Sequence, residues 1–235
     1  MGFAQPKVHS IDRTQLCALL LWVSFGLTAC NGPLIGHPSY VDGYTTFADS
    51  SDRADRADRA DRDWVNVVVE IPAGTNDKWE VDKSSGSLHW EQKDGKPRVV
   101  QYLAYPANYG MIPRTSLPYE IGGDGDPLDV LLLGPELARG AVVQARPIGV
   151  LHLIDDDERD DKILAVPVAG PLSDVTDLAA LDARYPGIRQ IVETWFTHYK
   201  GPGRTTSAGF GDAVEAVAVV REANRYYESK PGRAE

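Results

Sequence analysis

The sequence predicts a mainly β fold with some α: a small closed β-barrel with C-terminal helices packed on it. Three observations lead there. Between residues 64 and 168, short apolar or alternating runs recur with Gly and Pro between many of them, the pattern of a sheet that removes its edges by closing on itself. In the C-terminal third the apolar spacing becomes helical. The length of 235 residues suits one globular domain with extensions, since domains usually run about 100 to 200 residues.

Taken in order, residues 1–29 have the form of a signal peptide. Lys7 and Arg13 precede the apolar run "LCALLLWVSFGLTAC", which ends at Cys30 and is short for a membrane-spanning helix. Its last four residues, "LTAC", resemble the lipobox of bacterial lipoproteins, in which cleavage precedes the cysteine and lipid is attached to its sulfur. An ordinary secretory signal or an apolar hairpin is the plainer alternative. Cys17 and Cys30 are the only cysteines, so loss of the first and lipidation of the second leave a domain with no thiol to mispair in an oxidising compartment. The resemblance implies export and a lipid anchor to the membrane through Cys30, on the periplasmic side of a bacterial cell envelope; a cytoplasmic protein is the alternative. The only methionine after Met1 is Met111, so a downstream ATG start would not yield an intact cytoplasmic form.

Residues 30–63 read as a flexible tether. A Gly-, Pro-, Ser-, Thr- and Tyr-rich stretch leads into "SDRADRADRADRD", an Asp-Arg-Ala repeat with no apolar face for a core. Asp and Arg pairs three or four apart would add only about 0.2 to 0.5 kcal/mol each to a helix there.

The folded domain is expected at 64–228, with 229–235 as a tail. "WVNVVVEIP" opens it as a strand, with Val65, Val67, Val69 and Ile71 on one face and Asn66, Val68 and Glu70 on the other. Further strands are expected at 78–82, 88–91, 129–133, 142–150, 152–154 and 163–168. In "PGIRQIVETWFTHYK", Ile188, Ile191, Val192, Trp195, Phe196 and Tyr199 form one helical stripe, which turns Tyr199 toward the body. Pro186 suits the first turn of this helix, and Gly201 with Pro202 stops it. A second helix is expected at about 212–227, capped by Asp212, with Val214, Val217 and Val220 inward.

The net charge of −10 excludes a protein that coats nucleic-acid phosphates with clustered Lys and Arg. Acidic residues instead concentrate in two places. "GGDGDPLDVLLL" sets Asp124, Asp126 and Asp129 ahead of an apolar run, and "DDDERDDK" spans Asp155 to Lys162. An EF-hand is ruled out, because its sixth and twelfth positions, Gly and Glu, are here Asp129 and Pro135. Solvated turns are the simple alternative. Yet each run abuts an apolar strand of the same small sheet, and carboxylates brought together raise one another's pKa unless a cation such as Mg²⁺ supplies the missing charge. Glu70 and Glu80 extend the carboxylates, and Lys78, Tyr105, Tyr109, Tyr199 and Lys200 add the cations and hydroxyls that phosphoryl transfer requires around such a cluster.

Here a family resemblance becomes specific. "DGDPLDV", Asp124 to Val130, is similar to the signature of the family I soluble inorganic pyrophosphatases, and the likeness runs through "VVVEIP", "DKWEVDKSSGSL", "YPANYG", "RPIGVLHLIDDDERDDKILAVP" and "HYK" to "GFGDAVEA". The resemblance implies an OB-like barrel, pyrophosphate as substrate, several Mg²⁺ ions per site and a homo-oligomer. It implies Asp126 as general base and metal ligand, with Glu70, Glu80, Asp124, Asp129, Asp155 and Asp160 completing the metal shell. Lys78, Arg98, Tyr109, Lys162, Tyr199 and Lys200 fall at phosphate-holding positions, and Tyr105 and Asp156 at polar positions with less definite roles. The sequence departs from the family pattern twice. The interval from Arg98 to the tyrosine motif differs from that of bacterial members, and Asp156 replaces a common glutamate. Read without the resemblance, Arg98 is a surface hairpin residue, Glu70 a solvent-facing strand residue, Lys78 and Glu80 an exposed pair worth little, and Tyr199 a core tyrosine. The rival function is a non-catalytic envelope barrel that binds divalent cations or polyanions.

Overall fold

The computed structural model describes residues 39–48, 63–117, 123 and 125–230. Cys30, the signal-peptide segment, the Asp-Arg-Ala repeat up to residue 62 and Asp124 lie outside the described residues. Strand β1 (Val65–Ile71) is followed by two small antiparallel pairs, β2 (Trp79–Val81) with β3 (Leu88–Trp90) and β4 (Gln92–Lys93) with β5 (Lys96–Pro97). Then come β6 (Asn108–Met111), β7 (Asp129–Leu132), β8 (Val142–Asp155), β9 (Glu158–Arg159) and β10 (Lys162–Pro167). Helices α1 (Leu178–Arg184) and α2 (Ile188–His198), strand β11 (Thr205–Gly211) and helix α3 (Ala213–Ser229) complete the order.

The main sheet runs β1-β6-β7-β10-β8-β11, with β9 added beside β8. Among the described strands only β7 and β10 pair in parallel, with Lys162 opposite Asp129. β1 is bonded to β6 and also, along Val65 to Val68, to the start of β8. The expected strands at 142–150 and 152–154 are one continuous 14-residue strand. Nothing in "VVQARPIGVLHLID" interrupts it except Pro147, and the ladder to β10 shifts register there, passing from Gly149 opposite Leu164 to Pro147 opposite Ala165; a bulge is where a sheet accepts a residue lacking an N–H. This long strand meets β1, β10, β11 and β9 in turn.

β1 is buried on both faces, not one. Val65, Val67 and Val69 join a core closed by Ala216, Val219, Val220 and Ala223 of α3. Val68 packs with Tyr40, Val41, Met111 and Tyr227. Residues 39–48, expected in the tether, are therefore part of the packed body: Tyr40 and Val41 are buried, and Phe47 bridges Val65. The Tyr227 hydroxyl bonds Asp42, and Asn224 donates to Thr46 Oγ1 at 2.8 Å.

Asp212 caps α3 as expected, accepting from Glu215 N at 2.9 Å. The inward face differs, however. Val214 is 78% exposed and Val217 half-buried, whereas Ala216, Val219, Val220, Ala223 and Tyr227 face in at steps of three and four. Helix α2 begins at Ile188 rather than Pro186, because Gly187 takes a left-handed φ of 94° at its N-cap. Its buried stripe is Val192, Trp195 and Phe196, while Ile191 is 60% exposed. At Gly110 in β6, a Cβ would lie 1.8 Å from Val68 O. Only glycine lets β6 approach β1 there, and it adjoins Tyr109 of the site.

Candidate active site

The parallel pairing of β7 with β10 and the long reach of β8 gather the acidic residues. Asp129 is the first residue of β7, Lys162 the first of β10, and Asp155 the last of β8. Glu70, Lys78, Glu80, Tyr109, Asp126 and Asp129 line one cleft of about 240 Å³. Beside Asp129 the Lys162 ammonium, buried with 4% of its side chain exposed, lies 2.5 Å from Asp129 Oδ2 and also bonds Asp160. Burial works against its charge, but the two carboxylates outweigh that and raise its pKa. Burial also raises Asp160, against the pull of Lys162. Next along, Lys200 bonds Asp155, whose other oxygen accepts from Thr205 Oγ1 at 2.8 Å.

Among the described acids, Glu70 is strongly perturbed. It is 5% exposed, accepts from Val81 N at 2.7 Å, and burial pushes its pKa up to about 8 despite nearby Lys78. The solvent-facing reading of Glu70 is thus replaced by a buried carboxyl aimed across β2. Lys78 lies 3.6 Å from Glu80 and 5.7 Å from the centre of the Tyr109 ring. Tyr109 and Tyr199 both have hydroxyls pushed upward by burial, with Asp129 adding to the effect at Tyr109. Tyr105 is similarly raised and sits within an aromatic group of Tyr109, Trp195 and Phe196. Trp195 stacks on Tyr199 with ring centres 4.6 Å apart, so the α2 stripe holds a site tyrosine as well as core.

Arg98 directly follows the β4–β5 hairpin, and its side chain is half-buried and engaged. Its guanidinium bonds both oxygens of Glu91 at 2.7 and 2.8 Å, and its carbonyl accepts from Lys78 N and Trp90 Nε1. With Tyr199, Lys200, Lys93 and Arg204 it lines a second, cationic groove of about 520 Å³. Asp156 stands apart from both cavities' linings. It occupies a left-handed turn position with φ 48° and pairs with Arg204 at the surface.

Several neighbours went unread in the sequence. Lys83 bonds Asp126 across the cleft, and His89 Nε2 lies 3.5 Å from Glu80. Asp161, inside a run that reads as a solvated tip, is buried and clamped by Arg159 at 2.7 Å and His152 at 3.0 Å. Strand alternation through "DKWEVDK" offers a signal for the Lys78, Glu80, Asp82 face but none for Lys83, which a turn redirects. Among the described residues, no three His, Cys, Asp or Glu side chains are grouped to hold a metal ion; lysine ammoniums sit against the carboxylates instead. The donor set nonetheless fits a hard divalent cation, being carboxylate oxygen without thiolate.

A mainly β body with lysine-paired carboxylates along one cleft and a cationic groove nearby suits a protein that acts on phosphate anions. The inorganic pyrophosphatase family model matches residues 67–228, and the chain belongs to the inorganic pyrophosphatase family. The inorganic pyrophosphatase of Xanthomonas campestris pv. campestris is 36% identical over 170 residues, covering 70% of this chain and 90% of that protein. That of Caulobacter vibrioides is 35% identical over 171 residues, covering 70% of this chain and 91% of that protein. The crystal structure of an inorganic pyrophosphatase from Neisseria gonorrhoeae matches with a TM-score of 0.60 at 35% identity, over 77% of this chain and all of the other. The protein is therefore an enzyme that hydrolyses pyrophosphate, and the rival of a non-catalytic barrel falls away.

Proposed function

We propose that the hydrolysis is Mg²⁺-dependent and proceeds by direct attack of water, with Asp126 taking its proton. The observation that carries this is the meeting of Asp129 and Asp160, from different strands and loops, on one buried ammonium beside the cleft that Glu70, Glu80 and Asp126 line. Bound Mg²⁺ would neutralise phosphate charge and acidify the attacking water. Glu70, Glu80, Asp124, Asp126, Asp129, Asp155 and Asp160 are the oxygen donors that would hold it. Lys78, Arg98, Tyr109, Lys162, Tyr199 and Lys200 hold the phosphates. The carbon stems and rings packed around Tyr105, Trp195 and Phe196 fix the tyrosines so that little side-chain freedom is lost when substrate arrives. No side chain acts as nucleophile.

The test is phosphate release from pyrophosphate by purified protein, with Mg²⁺ and with chelator, followed by acid quenching with radiolabelled substrate. Release that requires the cation and leaves no label on protein supports the reading. Label retained on protein would replace direct attack by a covalent route.

The sheet is read as a closed OB-like barrel, supported by the bonding of β1 to both β6 and β8. A homo-oligomer is supported by the apolar groove that exposed Ile191 shares with Pro106, Leu133 and Ile188; light scattering gives the copy number. Attachment to the envelope through lipidated Cys30 is supported by the apolar run ending in "LTAC". Mass spectrometry of the mature N-terminus, acylated Cys30 against intact Met1, tests it. Among the described residues no helix is long and apolar enough to cross a membrane.

A further inference from the structure

We propose that Lys83 is a built-in counter-ion for Asp126: it holds that carboxylate until a divalent cation displaces it, and so sets the metal affinity of the site. Lys83 lies in the turn after β2, and Asp126 in the loop before β7, 43 positions away in the chain; both line the same cleft. The turn is fixed from within. Asp82 Oδ1 accepts from Ser84 N at 3.1 Å, Ser84 Oγ at 2.6 Å and Ser85 N at 2.7 Å, so Lys83 is presented across the cleft by a braced segment rather than a loose one.

Lysine–carboxylate contacts around the site form a graded series. The Lys162 side chain is 4% exposed, that of Lys200 27%, and that of Lys83 56% against 51% for Asp126. A buried contact is costly to break, whereas a solvated one is worth about 1 kcal/mol or less. Lys162 is thus a permanent part of the site, and Lys83 the exchangeable member. A divalent cation and an ammonium cannot both neutralise one carboxylate at full strength, so each weakens the other's hold on Asp126. In the absence of metal, Lys83 offsets the repulsion between Asp126 and the neighbouring acids. This inference rests on the reading that Asp126 faces the metal.

Calorimetric titration of the purified chain with Mg²⁺, without substrate, tests it, using Lys83→Met, Asp126→Asn, the double variant, and Arg184→Met as a charge change on α1. Lys83→Met is expected to bind Mg²⁺ about 2- to 5-fold more tightly at low ionic strength, with the gain shrinking as salt screens the pair. The gain should be smaller in the Asp126→Asn background, and Arg184→Met should match wild type. Binding by Lys83→Met that equals or falls below wild type, or an equal gain from Arg184→Met, overturns the counter-ion role alone. Wild-type affinity in Asp126→Asn, or no binding by wild type, overturns the metal reading on which it rests.

Discussion

Lys162 Nζ lies 2.5 Å from Asp129 Oδ2 and also bonds Asp160, so one ammonium ties the start of β7 to the segment entering β10. Removing it leaves two half-buried carboxylates facing each other. Lys162→Met is expected to cost about 3 to 5 kcal/mol of stability in chelator, the range for breaking a buried pair. Because a divalent cation can replace the missing charge, added Mg²⁺ should recover part of that loss. Denaturant titrations with and without Mg²⁺ measure both effects.

Glu70 gives a pH dependence whose sign is fixed. Its native pKa of about 8 lies above the ordinary 4.5, so across that window the native state keeps a proton the unfolded chain has released. Stability contributed by this group is therefore lost as pH rises from 4.5 to about 8, by about 1.4 kcal/mol per unit at most. Glu70→Gln, neutral throughout, should flatten the slope of metal-free protein in that window. Denaturation midpoints at several pH values, in chelator, report it; an unchanged slope would place Glu70 in a wetter setting than described.

Asn108 of "YPANYG" is fully buried and uses its whole amide. Its Oδ1 accepts from Ala73 N at 3.1 Å and Leu137 N at 2.9 Å, and its Nδ2 donates to Leu132 O at 3.2 Å and Pro135 O at 2.9 Å. These bonds tie the segment after β1 to the end of β7 and the loop beyond. Asn108→Leu strands four backbone groups, each carrying a desolvation cost of about 1 to 3 kcal/mol. It should leave little folded protein by circular dichroism, whereas Tyr105→Phe should fold normally.

The sequence made the edges of this architecture legible where local chemistry decides them. Asp212 caps α3 because its carboxylate accepts from Glu215 N, which satisfies one of the first helical N–H groups. β1 and the core of β10 are apolar runs that only a buried strand explains. Legibility failed where tertiary packing overrides pattern. β6 and β11, "NYGM" and "TTSAGFG", carry polar and Gly residues and form strands because neighbours supply their ladders. Asp161 reads as one more solvated acid, yet the short connection from β9 to β10 points it inward to Arg159 and His152. The segment around Tyr40 looks like linker because its partners, Gly86, Gly140 and Tyr227, are distant in sequence. At the site, family motifs pointed to the carboxylates and cations, but Lys83 and the pairing of each lysine depend on turns no spacing encodes.

Hydrolysis by a water whose proton passes to Asp126 is tested most directly by steady-state phosphate release from pyrophosphate with saturating Mg²⁺, comparing wild type with Asp126→Asn. The side chain is half exposed, so the amide should leave the fold intact by circular dichroism. A fall in kcat of about 100-fold or more is expected, the scale of a lost general base. A folded Asp126→Asn enzyme turning over at the wild-type rate would contradict it.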